Sequence, residues 1–133
     1  MAITSTRNRA TLAGAMRGHL KSVIAPGTST LTIGQSGSMI STEGAGGAIT
    51  FTLPAVATSA GVHYWIQNAE DQNMLITAPA NTMTTFNDIA ATTAAFQTSS
   101  EKVGGGAFVI CDGSKWHLQL MTYDGADQLV TVS

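Results

Sequence analysis

The chain has 133 residues, 44 % hydrophobic, 11 % charged and 6 % aromatic, with a formal net charge of −2. That is enough apolar material for one core and excludes a disordered chain. So few Asp, Glu, Lys, Arg and His argue against acid–base and metal enzymes and toward a structural or binding role.

Charge divides the chain. Residues 1–42 carry Arg7, Arg9, Arg17 and Lys21 and no acid, whereas all eight acids lie beyond residue 42, against Lys102 and Lys115. This pattern reads as a basic arm on a mildly acidic body. Residues 1–10 are polar and aperiodic and read as an extended arm. In 9–24, Leu12, Met16, Leu20, Val23 and Ile24 fall on one helical face, which predicts a short helix. Gly14 and Gly18 weaken it by about 1 kcal/mol each. Pro26-Gly27 ends it and sets the boundary between an arm, 1–27, and a body, 28–133.

From residue 28 the period becomes two. Strands are predicted at Thr30–Ile33, Ile49–Leu53, Val62–Gln67, Met74–Thr77, Ala107–Cys111, Trp116–Met121 and Leu129–Val132. Turn signals separate them, and Asp112-Gly113-Ser114-Lys115 is the strongest hairpin signal. Residues 79–100, bracketed by Phe86 and Phe96, read as a loop with short strands or one helical turn. The expected fold is all-β: an antiparallel β-sandwich or jelly-roll-like body with an N-terminal extended arm and a short helix.

Chemistry is sparse. Cys111 and His117 flank the hairpin and raise a nucleophile–base pair, but a thiol in an apolar strand reads better as a small buried hydrophobe. Cys111 is the one cysteine, which excludes an internal disulfide and suits folding in a reducing cytoplasm. His19, His63 and His117 lie far apart and lack metal-ligand spacing. Gly104-Gly105-Gly106 lacks the GK[ST] ending of a phosphate loop. No cofactor, metal site or catalytic residue is assigned, and the chain reads as a non-enzyme. No apolar run approaches the roughly 20 residues that span a bilayer, and no apolar segment of a secretory signal follows the N-terminal basic residues. The arm is read as a docking element, with Arg7, Arg9, Arg17 and Lys21 meeting an acidic protein surface and Leu12, Met16 and Leu20 as apolar anchors. Direct nucleic-acid binding is not expected, because no aromatics interleave the four charges.

Residues 48–79, AITFTLPAVATSAGVHYWIQNAEDQNMLITAP, and residues 108–118, FVICDGSKWHL, resemble modules of the β-rich virion structural proteins of tailed bacteriophages. The resemblance spans roughly 28–121 and includes capsid decoration (cement) proteins. It implies a stand-alone decoration protein, since no heptads or shaft repeats of a fibre subunit are present. It further implies a homotrimer on the capsid exterior, made in the host cytoplasm, that binds the major capsid protein and clamps neighbouring capsomers. The alternative it leaves open is a head- or tail-fibre or baseplate component that binds a host surface glycan through Trp65, Tyr123 or His63.

Overall fold

A computed structural model describes residues 20–85, 88–97, 103–121 and 130–133. The described residues form twelve strands: β1 Lys21–Ile24, β2 Ser29–Thr30, β3 Ser38–Ser41, β4 Ile49–Thr52, β5 His63–Gln67, β6 Met74–Thr77, β7 Met83–Thr85, β8 Asp88–Ala91, β9 Thr93–Phe96, β10 Gly106–Cys111, β11 Trp116–Met121 and β12 Val130–Val132. They make a seven-stranded sheet, β1-β3-β5-β10-β11-β7-β8, and a five-stranded sheet, β12-β9-β6-β4-β2. The all-β expectation holds at this level.

Connectivity departs from the expected antiparallel body. From β1 to β6 the chain alternates between sheets, so each strand lies beside the strand two places earlier and runs the same way. Lys21 pairs with Ser38 and Ser38 with Tyr64 in one sheet, and Ser29 pairs with Phe51 and Ile49 with Met74 in the other, all parallel. Parallel neighbours usually need a helical crossover. Here the crossover is a strand of the opposite sheet. The later strands β9 and β10 then close antiparallel onto β6 and β5. Five of the ten pairings among the described residues are parallel, whereas a jelly-roll is built from antiparallel strands.

Period-two burial explains why the chain stays in these sheets. Ile49, Phe51 and Leu53 are buried, as are Tyr64 and Ile66 on β5, Met74 and Ile76 on β6, and Trp116 and Leu118 on β11. Residues of both sheets belong to one buried cluster, and each large side chain in it stabilises by about 1.5–3 kcal/mol. Two aromatics carry polar ends into this core. The Tyr64 and Trp116 rings stack at 6.0 Å between centroids. The Tyr64 hydroxyl donates to the Thr32 carbonyl at 2.7 Å, and Trp116 Nε1 donates to the Pro54 carbonyl at 3.0 Å.

Other expectations are corrected locally. The strand predicted at Thr30–Ile33 is only Ser29–Thr30, followed by a 3-10 turn, Ile33–Gln35. Gln35 Oε1 accepts from the Thr32 amide at 2.8 Å, which turns the chain and leaves Ile33 exposed beyond buried Leu31. The helix expected over 9–24 gives way at its end: Lys21–Ile24 is a strand in the body's sheet. Val23 and Ile24 are β-branched and favour the extended form, and β3 satisfies their backbone groups. Within 79–100, three strands form, and the Ala94, Ala95 and Phe96 side chains of β9 are buried.

The Gly104-Gly105-Gly106 run has a packing role. A Cβ at Gly106 would lie 2.5 Å from the Ile66 carbonyl oxygen. Gly106→Ala should therefore cost about 1–3 kcal/mol by overpacking, while Gly46→Ala, which points into open space, should stay within about 0.5 kcal/mol. Urea unfolding of both variants checks the difference.

Burial pushes the Tyr64 phenol up to about 12, and the neighbouring Cys111 adds in the same direction. An unfolded tyrosine titrates near 10. The contribution is therefore intact below about pH 10 and is lost as pH rises toward 12. Phenolate absorbance of the folded chain should show one of its two tyrosines ionising only together with alkaline unfolding.

Candidate functional site

The arm residues Arg7, Arg9, Leu12, Met16 and Arg17 lie outside the described residues. Leu20 is 55 % exposed. Lys21 opens β1, the edge strand of the seven-stranded sheet, and is exposed. Val23 packs partly against the core, while Ile24 is exposed. Residues 20–24, the end of the basic segment, therefore meet the body at the edge of the sheet as the described residues form it, with Leu20 and Lys21 on the surface.

The Cys111–His117 pair does not assemble. In the β10–β11 hairpin Cys111 lies opposite Trp116, and His117 lies opposite Ile110. Adjacent residues of a strand point to opposite faces, so the thiol faces the core and the imidazole faces outward. The Cys111 thiol sits 3.7 Å from the Val56 carbonyl and accepts from the Gly113 amide at 3.4 Å. His117 Nε2 instead meets Asp112 Oδ2 at 2.7 Å. Asp112 also accepts from the Ser114 and Lys115 amides at 2.7 Å each, and Gly113 takes the left-handed φ of +96° that closes the turn. Glu70 accepts from the Gly44 amide at 2.8 Å and ties two turns.

What the structure gathers is an outward face of aromatic and polar side chains. β5, β10 and β11 lie side by side, and their outward residues form one surface. Trp65 pairs with Phe108 and His63 with Ile110, which in turn lies opposite His117. Trp65 is 41 % and Ile110 38 % exposed, and the His63 and Phe108 rings lie 6.0 Å apart. Beside them Thr84, Phe108, Ile110, His117 and Gln119 line an open groove of about 340 Å³. Tyr123 lies outside the described residues. Among the described residues, no three His, Cys, Asp or Glu side chains are placed to hold a metal ion. The groove offers aromatic surface, hydroxyl, amide and imidazole groups, a set suited to non-covalent recognition.

Alternation placed Trp65, His63, His117 and Gln119 on outward positions, so part of this face was legible. Phe108 and Ile110 were not, because Ala107–Cys111 is apolar at every position and its period is hidden. Thr84 was missed because β7 pairs in parallel with β11, a neighbour distant in sequence.

No protein-family model matches the chain, and a search of curated proteins returns no match.

The hydrogen bond from His117, then those from the Lys115 and Ser114 amides, hold the Asp112 carboxyl well below the usual carboxylate range. A depressed carboxylate contributes stability above its unfolded pKa of about 3.9, lost as pH falls below that value toward the folded pKa. NMR titration of the Asp112 carboxyl should give a midpoint below about 3.9, and His117→Ala should raise it.

Proposed function

We propose that the chain is a capsid decoration (cement) protein of a tailed bacteriophage. Its body is a β-sandwich made by two facing sheets. It acts as a homotrimer on the exterior of the virion, and Arg7, Arg9, Leu12, Met16, Arg17, Leu20 and Lys21 dock on the major capsid protein. The observation that carries this reading is that Lys21, the last charge of the basic segment, opens the edge strand of the sheet among the described residues. Leu20 is exposed there at the start of β1, rather than folded into the core. The resemblance of residues 48–79 and 108–118 to phage virion proteins supports it, as does a composition with only 11 % charge. Interface cores are depleted in charge.

Cementing in this reading is mechanical. Each arm makes a modest contact, and three arms on one rigid body engage neighbouring capsomers at once. Linked contacts gain avidity without any one large interface. Separating capsomers under the outward pressure of packaged DNA would then require breaking several of these contacts together.

A chain of residues 20–133 keeps β1 and its pairing with β3, so it should fold with the full-length near-ultraviolet dichroism. Its binding to capsids in a co-sedimentation assay should fall by about 100-fold, the scale of lost multivalent contacts. Binding equal to that of the full chain would sink the arm reading. Purified virions should contain the protein at a copy number near that of the shell protein, and a few copies per particle would place it elsewhere.

A further inference from the structure

We infer that the outer face of the seven-stranded sheet binds a neutral oligosaccharide, with Trp65 as stacking platform and the Thr84–Phe108–Ile110–His117–Gln119 groove as the polar subsite. This stands apart from the cementing reading, which concerns the arm.

The chain has two tryptophans, and the fold treats them oppositely. Trp116 is fully buried, with its indole N–H bonded to the Pro54 carbonyl. Trp65 is 41 % exposed near the middle of a sheet, paired with Phe108. Trp65, Phe108 and Ile110 lie together on this face, and a contiguous apolar patch, unlike a single exposed side chain, marks an interaction site. The groove beside it narrows the chemistry of the ligand.

Its polar side chains are two threonines, an amide and an imidazole, and the Thr85 hydroxyl is buried. The Thr84 hydroxyl and Gln119 amide each donate and accept, which is what a sugar hydroxyl requires. Among the described residues no Lys or Arg lines the groove, so an anionic ligand finds no counter-charge on these side chains. The nearby carboxylate, Asp112, is held by His117 and two backbone amides, so a cationic ligand finds it already engaged. A pyranose presents an apolar C–H face and an equatorial ring of hydroxyls. In a chain of linked units, the C–H face of one fits the indole plane, and the hydroxyls of units farther along fit His117 and Gln119, two strands away, and Thr84, three strands away. The groove is open along the sheet, which suits several linked sugar units rather than a small enclosed molecule.

The difference between the tryptophans makes the test direct, because only Trp65 is accessible to added ligand or quencher. The full chain is titrated with neutral hexasaccharides of α-linked glucose, β-linked glucose, mannose and β-linked N-acetylglucosamine, with sialylated and sulfated oligosaccharides as charged comparators. At least one neutral hexasaccharide should shift the tryptophan emission to the blue and protect it from iodide. Calorimetry should show that Trp65→Ala abolishes binding and that Gln119→Ala weakens it about five- to tenfold. Both variants should melt close to the parent, since the two side chains are solvent-facing.

The inference is overturned by any of three results. One is the absence of response to every neutral hexasaccharide at millimolar concentration, or a response to the charged set alone. Another is binding by calorimetry that survives Trp65→Ala with parental affinity. The third is self-association in the ultracentrifuge that Trp65→Ala disrupts, which would make this face a contact between copies. None of these results bears on capsid binding by the arm.

Discussion

The stacked pair Tyr64–Trp116 is the constraint on which the rest of the fold depends. Each ring fills the core, and each also carries a donor that must be satisfied there, since an unpartnered buried polar group costs about 1–3 kcal/mol. The partners are not in the rings' own sheet. Tyr64 reaches Thr32, just beyond β2, and Trp116 reaches Pro54, just beyond β4. Those two loops are two of the passages by which the chain leaves the five-stranded sheet. The pair therefore joins the sheets by packing and by hydrogen bonds, and fixes the spacing of the coil that winds between them.

That coil accounts for what was and was not legible in the sequence. β4, β5 and β11 were readable because Thr, His, Trp and Gln alternate with large apolar residues. β3 was not: Ser38 and Ser41 are buried beside Ile40, so its polar residues disguise an inward face. β7, β8 and β9 were blurred by Ala and Thr, which bury or expose without leaving a pattern. Pairing direction was hidden for a different reason. Alternation specifies which face of a strand is buried and says nothing about which strand lies beside it, so parallel neighbours reached through the other sheet read as antiparallel hairpins. Only the Asp112–Lys115 hairpin, whose turn residues specify its own closure, was readable in both respects.

The end of the basic segment shows two periods in competition. Leu20, Val23 and Ile24 suit a helical stripe, yet Val23 and Ile24 also suit a strand, and β3 offers an unpaired edge. Backbone hydrogen bonds to that edge decide the outcome over 21–24, since two glycines upstream lower the helical alternative. The Ala25 amide extends the tie by donating to the Ser41 carbonyl at 2.8 Å. Over 21–24 the chain is thus an anchored strand rather than the end of the expected helix, which fixes where residue 20 meets the body.

The same sheet then sorts chemistry by face. At β5 the neighbours Tyr64 and Trp65 divide, one into the core and one outward, and at the β10–β11 hairpin Cys111 and His117 divide in the same way. This sorting removes the nucleophile–base reading by geometry, because the thickness of the sheet separates the groups. It also concentrates the outward aromatics and uncharged hydrogen-bonding groups on three adjacent strands. Edge and face are perpendicular surfaces of one sheet. In the reading proposed above, attachment through the arm at the β1 edge and ligand recognition on the Trp65 face use different residues.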